Sequence, residues 1–176
     1  MPRPTPVAAE WLEPQLSDAA RPLLYGHRPG LSDLYGSLGN APRMLSAWLE
    51  FAWKIRLDVT SPRRLRELAI VLVGKRFGAP YEVAAHTRMA LEAGATEAEL
   101  EALERWSDTS LFDETDRAAL ALTDAMFANT VTDEITAEVE RLVGKEQLIE
   151  LMMTIGYYQM VSSVTQALQL VPPAAS

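Results

Sequence analysis

The sequence predicts an all-α protein. From Pro42 onward, apolar residues recur at three- and four-residue spacing, which is the period of an amphipathic helix. Thr60-Ser61-Pro62 and Thr96-Glu97-Ala98-Glu99 supply helix start signals. The run Leu68–Val73 contains β-branched residues that also suit a strand, but the arginine-rich residues before it include no turn. We therefore expect a compact multi-helix fold without strands.

The N-terminal region has a different composition. Residues 1–42 hold seven of the eleven prolines and four of the nine glycines of the chain. Because proline and glycine interrupt regular elements, we expect residues 1–41 to form an arm with short helical turns at most. The helical domain is predicted to cover residues 42–176.

The helices of this domain follow from start and stop signals. A proline at the first helical position begins three of them, Thr96 and Glu99 form a capping box, and glycine ends others. The predicted helices are Pro42 to about Asp58, Pro62 to about Phe77, Pro80 to Gly94, a short one from Thr96, Asp113 or Thr115 to Asn129, Thr132 to Gly144, and Lys145 to about Leu170.

Two of these helices are apolar around most of their circumference. They are Pro62–Phe77 and Lys145–Leu170. One small monomer is not expected to cover both completely, so contacts between subunits are the natural cover. This pattern predicts a homo-oligomer.

Composition excludes several classes of function. The 176 residues include 16 Lys and Arg against 24 Asp and Glu, a net charge of −8, which disfavours binding to nucleic acid. Without cysteine, thiol chemistry and thiolate metal sites are excluded. No apolar stretch approaches the roughly 20 residues of a membrane span, and the N-terminus lacks the features of a secretory signal. We expect a cytoplasmic protein without membrane or nucleic-acid partners.

A candidate site for proton transfer lies on two neighbouring helices. Glu82 and His86 are four residues apart, so both project from one helical face, and Tyr81 precedes them. Glu67 lies in the preceding apolar helix, where a carboxylate is costly to bury alone. A helical hairpin through Gly78-Ala79-Pro80 can bring Glu67 toward His86. Two carboxylates and an imidazole in an apolar site suit general acid–base chemistry.

A purely structural interpretation stays open for the same residues. A Glu–His pair at this spacing is also typical of contacts on a helix surface, and Glu67 can pair with a nearby base such as Lys75. His27, the other histidine, lies between Gly26 and Arg28 and is interpreted as a solvated loop residue.

Several ordered landmarks resemble those of the carboxymuconolactone decarboxylase and alkylhydroperoxidase D-like family. They are Arg66-Glu67-Leu68-Ala69-Ile70, Tyr81-Glu82 followed by His86, the run Met89 to Thr96, and Gly156-Tyr157-Tyr158-Gln159-Met160-Val161. The resemblance covers roughly residues 40 to 170. It implies an all-helical alkylhydroperoxidase D-like fold assembled as a homotrimer or homohexamer.

The resemblance also separates two branches of that family. In the peroxidase branch, the glutamate and histidine match Glu67 and His86, but the two cysteine positions fall on Ala79 and Glu82. Thiol-based peroxide reduction is therefore excluded. The decarboxylase branch is similar in its Tyr-Glu pair and following histidine, matched by Tyr81, Glu82 and His86. Its members commonly carry Trp where this chain has Val83, which makes the expected pocket wall smaller and aliphatic.

The preferred hypothesis is a lyase or isomerase without cofactor or metal, acting on a small unsaturated carboxylic acid or lactone. His86 would shuttle a proton, Glu82 would orient it or act as acid, and Glu67 would hold the proton network, while Tyr81 and Val83 would contact substrate. A substrate carboxylate would need a cation, for which Arg63, Arg64, Arg88 or a neighbouring subunit's arginine is available.

Two alternatives stay open. One is a non-catalytic, ligand-binding or scaffold member of the same family, which a pocket lined only by apolar residues would favour. The other is a metal-dependent enzyme that uses Glu67, Glu82 and His86, since two carboxylates and one imidazole can hold a hard divalent ion.

Overall fold

Every regular element is helical in a computed structural model that describes residues 4–25 and 31–172, so the all-α prediction is confirmed for those ranges. The α-helices are α1 Ala9–Leu12, α2 Asp33–Leu38, α3 Pro42–Leu57, α4 Arg63–Phe77, α5 Pro80–Glu92, α6 Glu97–Ala102, α7 Glu114–Ala128 and α8 Asp133–Ala167. Short 3₁₀ segments occupy Glu13–Gln15, Arg21–Leu23 and Leu103–Asp108. None of these helices combines the length and the apolarity that a membrane crossing requires.

The chain divides into two compact units. Among the described residues, the first comprises residues 4–25, 31–59 and 165–171, and the second comprises residues 60–164 and 172. In the first unit, α1, the short 3₁₀ turns and α2 are brief, as the proline and glycine content predicts. Helix α3 belongs to this same unit, which therefore extends beyond residue 41. A domain boundary between residues 41 and 42 stays a prediction.

A small hydrophobic core, made mostly of leucines, stabilises the first unit. Two polar contacts add to it: the Trp53 indole N–H donates to the carbonyl of Leu23 at 3.1 Å, and the Ser17 hydroxyl donates to Glu50 at 2.8 Å. The buried residues of this core are Leu12, Leu16, Ala20, Leu24, Leu45 and Leu49.

Helices α4 and α5 form a tight hairpin in the second unit. Pro62 precedes α4 as its N-cap, and Gly78 ends it in the left-handed region at φ 61°, a conformation that glycine adopts without steric cost. The amide of Ala79 donates to the carbonyl of Gly74 at 2.8 Å, and α5 begins at the next residue, Pro80. Only two residues separate the helices, which fixes them side by side.

The apolar surface of α4 is covered within the single chain, so contacts between subunits are not needed there. Every residue from Leu65 to Gly74 is buried within the single chain. Helices α5 and α7 and the 3₁₀ segment Leu103–Asp108 all pack on α4. Arginines tie α4 to α7, because Arg64 pairs with Asp116 at 2.7 Å and Arg76 pairs with Asp124 at 2.8 Å. The sequence did not indicate the 3₁₀ segment, whose packing supplies part of this cover.

Most predicted helix limits agree with the structure to within a few residues. The Thr96–Glu99 capping box is present, and Asp113 caps α7 by accepting from the amide of Asp116. Gly144 interrupts the helical backbone of α8 with φ 83°, so the predicted break there is observed as a kink.

Apolar side chains remain exposed on one stretch of α8. They are Ile149, Met153 and Met160, spaced by four and seven residues. That spacing places them on one helical face. Exposed apolar surface of the kind that predicts subunit contacts is therefore present on α8, whereas the residues of α4 from Leu65 to Gly74 are buried.

We expect the protein to be a homo-oligomer of at least three chains in which this α8 face is buried. Static light scattering after size exclusion should report that mass. Met153→Glu should lower it, because a charge is costly to bury in an apolar interface. Leu111→Glu is a matched control, since Leu111 is 47% exposed and Met153 is 48% exposed. A wild-type protein that is monomeric at micromolar concentration would contradict the prediction.

Candidate functional site

His86 lies in the interior of the α4–α5 hairpin. It occupies the middle of α5, and 3% of the residue is exposed. Its Nδ1 atom is 2.8 Å from Oε2 of Glu67, which α4 presents from one turn inside its N-terminus. A polar group buried to this degree requires a partner, and Glu67 supplies one. The hairpin therefore brings these two residues together.

Glu82 approaches the other nitrogen of the same imidazole. Its Oε2 atom is 3.6 Å from Nε2 of His86, and the residue is as deeply buried as His86. This separation exceeds that of a hydrogen bond, whereas the Glu67 contact is within range. The two carboxylates thus face opposite nitrogens of one ring, and only the Glu67 carboxylate lies within hydrogen-bonding distance.

Tyr158 is a member of this cluster that the sequence analysis did not place in the site. Its ring meets the His86 imidazole edge to face, with ring centres 4.7 Å apart and planes at 79°. Tyr157 packs on Tyr158 in the same manner. Tyr158 lies on α8, 72 positions beyond His86, so no local spacing links the two. The only signal was the Gly156-Tyr157-Tyr158 segment among the family landmarks.

The other two predicted site residues flank Glu82 at the start of α5. Tyr81 and Val83 are both partly buried. Val83 packs against Gly74 of α4, where a Cβ atom would lie 3.0 Å from Cγ2 of Val83. A contact of 3.4 Å to the Val83 amide nitrogen and one of 3.5 Å to Cβ of Glu82 would accompany it. Substrate contact by Tyr81 and Val83 stays a prediction.

Three arginines, Arg63, Arg64 and Arg66, lie in the first turn of α4, and two of them, Arg64 and Arg66, form short hydrogen bonds. Arg64 forms a bidentate pair with Asp116 at 2.7 and 3.0 Å and also donates to Glu99. The bond to Asp116 raises the pKa of Arg64. Burial alone would raise the pKa of Glu99, but hydrogen bonds from Thr96 and Arg64 outweigh that effect and lower it. Arg64 is thereby fixed between α6 and α7.

Arg66 is buried and Arg63 is not. The Arg66 guanidinium donates to the carbonyl and hydroxyl of Ser61, and burial lowers its pKa. Glu150 of α8 accepts from the amides of Thr60 and Ser61 at 2.8 and 2.7 Å, which anchors the approach to α4. Arg63 instead reaches the edge of the site, with its Nε atom 3.8 Å from Oε1 of Glu67.

No group of three histidine, aspartate or glutamate side chains suited to holding a metal ion occurs within residues 4–25 and 31–172. His27 lies outside the described residues. The chemistry that the visible cluster offers is acid–base chemistry, since it combines one imidazole with two carboxylates.

The buried Glu–His–Glu cluster lies between two adjacent helices of an all-α protein, and comparisons with solved structures agree on the fold. The debrominase Bmp8 in its apo form aligns with a TM-score of 0.76 at 19% identity, over 97% of this chain and 91% of that one. A peroxidase-related protein from Silicibacter sp. TM1040 aligns at 0.74 with 12% identity, over 98% and 94%. A protein of unknown function from Agrobacterium tumefaciens, described with the name AhpD, aligns at 0.70 with 16% identity, over 78% and 96%.

The sequence match agrees with the resemblance. Residues 42–125 match the model of the carboxymuconolactone decarboxylase family. This range contains Glu67, Glu82 and His86. No curated protein sequence matches the chain.

Gly74→Ala should disturb the Glu82–His86 geometry. The added methyl group would crowd Val83 and Glu82 at the contacts above, although alanine favours the helix itself by about 1 kcal/mol. With only two histidines in the chain, ¹⁵N imidazole shifts of His86 are readily assigned by means of His27→Gln. We expect those shifts to change in Gly74→Ala.

A second substitution serves as the control for crowding. Val83→Ala removes the atom that the new methyl group meets, so Gly74→Ala combined with Val83→Ala should return the His86 shifts most of the way to those of Val83→Ala alone. Unchanged His86 shifts in Gly74→Ala would show that the close approach does not position the site.

Proposed function

We propose that the protein is a lyase or isomerase of the decarboxylase branch, which works by proton transfer on a small unsaturated carboxylic acid or lactone without cofactor or redox cysteines. The observation that carries the proposal is the buried imidazole of His86, bonded to Glu67 at Nδ1 and approached by Glu82 at Nε2. His86 lies on α5 together with Tyr81 and Glu82, the other two residues that resemble the decarboxylase branch.

The geometry supports different tasks for the two glutamates. An ionised carboxylate can only accept a hydrogen bond, so Glu67 favours the imidazole tautomer that carries its proton on Nδ1. Nε2 is then the nitrogen that accepts and returns a proton. Glu82, 3.6 Å from Nε2, is placed to exchange a proton with the imidazole or with substrate. Glu67 is in this scheme a positioning residue.

Proton delivery is the step that such a site must perform. Loss of carbon dioxide from an unsaturated acid leaves an extended enolate, which has to be stabilised and then protonated at one carbon. An isomerase removes and replaces a proton by the same means. Burial supports both reactions, because water that reached the site would compete as a proton donor.

The absence of cysteine predicts that peroxide is not reduced by a dithiol route. Without a thiolate no sulfenic acid or disulfide can form. Purified protein supplied with a lipoyl or thioredoxin-type donor should consume hydrogen peroxide no faster than buffer alone. Donor-dependent turnover well above that rate would contradict the assignment to the decarboxylase branch.

Glu82→Gln should abolish turnover while leaving folding nearly intact. The substitution keeps the shape of the side chain and removes its ionisable proton, and the loss of one general acid–base group typically costs about 10²- to 10⁴-fold in rate. His86→Ala should lower the rate similarly, and the double variant should not be additive, because members of one catalytic unit fail together. Product formation from a panel of unsaturated acids and lactones is the measurement.

Glu101→Gln is the control, because Glu101 is exposed on α6. No turnover of any member of the panel by folded wild type would favour the scaffold interpretation. Turnover in wild type that is equal in Glu82→Gln and His86→Ala, with all three folded by circular dichroism, would show that this cluster does not carry the reaction. Metal analysis of the purified wild type distinguishes the metal-dependent alternative.

A further inference from the structure

The charged residues of the hairpin form a line that runs from the interior to the surface. Side-chain exposure is 4% at His86, 10% at Glu67 and 52% at Arg63. Consecutive members are in contact, since Glu67 touches His86 through one oxygen and Arg63 through the other. Arg63 is therefore the residue at which this line meets solvent.

Arg63 is held more loosely than its neighbours on α4. Its contacts are 3.8 Å to Glu67 and 3.4 Å to Glu92, whereas charge-assisted hydrogen bonds are typically about 2.7–2.9 Å long. Arg64, by contrast, has a bidentate carboxylate partner. A half-exposed guanidinium with only long contacts can exchange its partner for an incoming carboxylate at little cost, because exposed pairs contribute little to stability.

Two guanidinium groups, those of Arg63 and Arg88, lie together at the outer end of this line. Glu92 lies between two guanidinium groups, 3.4 Å from Arg63 and 3.8 Å from Arg88, so two cations share one carboxylate. The first turn of α4 contains no acidic residue, although the positive end of a helix dipole favours one there. A substrate carboxylate that displaced Glu92 would therefore meet both guanidinium groups.

We propose that Arg63, assisted by Arg88, binds a carboxylate of the substrate at the outer end of this line. The proposal rests on the proposed function, and it narrows the substrate class to acids that are anionic at neutral pH. Of the three arginines considered from the sequence, Arg64 is already committed to Asp116 and Glu99, and Arg63 is the one that touches a site carboxylate.

The carboxylate at Arg63 is an anchoring group and not the one that reacts. An ion pair stabilises a carboxylate in the ground state, which would oppose its loss as carbon dioxide. A substrate for decarboxylation therefore carries a second carboxylate, which leaves as carbon dioxide, and the carbon that it leaves receives a proton by way of His86.

Binding of sorbate, an unsaturated six-carbon monocarboxylate, tests the proposal without requiring turnover. Sorbate should shift the Nε–Hε signal of Arg63 and the imidazole signals of His86 in a ¹⁵N NMR titration. Arg63→Gln should weaken binding by about tenfold or more, as expected for loss of a hydrogen-bonded charge partner. Glu92→Gln should strengthen binding, because it removes the competing carboxylate.

The controls separate a specific site from general electrostatics. Arg141→Gln removes a guanidinium of similar exposure, 55%, whose partners are Glu114 and Glu138, and it should leave sorbate affinity within about twofold, since exposed charges act weakly at a distance. The neutral alcohol 2,4-hexadien-1-ol should bind wild type and Arg63→Gln equally.

Three results would overturn the anion site: no sorbate binding by wild type, equal affinity in wild type and Arg63→Gln, or an equal loss in Arg141→Gln. Failure of the proposed function has a different signature. In that case sorbate binding still depends on Arg63, while Glu82→Gln and His86→Ala leave product formation unchanged.

Discussion

The hydrogen bond between Glu67 and His86 is the interaction on which the site depends. Neither side chain could be buried alone without a large desolvation cost, so each one makes the burial of the other possible. The bond requires α4 and α5 to lie side by side at close range. Gly74 permits that approach, and the two-residue turn at Gly78 and Ala79 enforces it. Packing and polar satisfaction thus specify the same arrangement of the two helices.

Local signals predicted the helices well because their causes are local. The Thr96 capping box and the break at Gly144 follow from residue types at fixed offsets, and both are present. The proximity of Glu82 and His86 follows equally from helical spacing. The proximity of Glu67 followed from the short hairpin, because a two-residue connection leaves few ways to pair two helices.

The remaining features depend on contacts that no local pattern encodes. Tyr158 reaches His86 from a helix far along the chain, and its aromatic character alone is equally consistent with simple core packing. The cover of α4 depends on the 3₁₀ segment Leu103–Asp108 and on α7, whose positions are fixed by tertiary packing. The different partners and exposure of Arg63, Arg64 and Arg66 depend on which groups surround each side chain in the folded protein, and sequence spacing does not reveal this.

The short connection between α4 and α5 also bears on how the protein folds. Glu67 and His86 are 19 positions apart, so their pairing closes a small loop and costs little chain entropy. Contacts of such short sequence separation form quickly, whereas Tyr158 can join only after a much larger loop has closed. We infer that the Glu67–His86 pair assembles early in folding and that the aromatic ring of Tyr158 packs on it late.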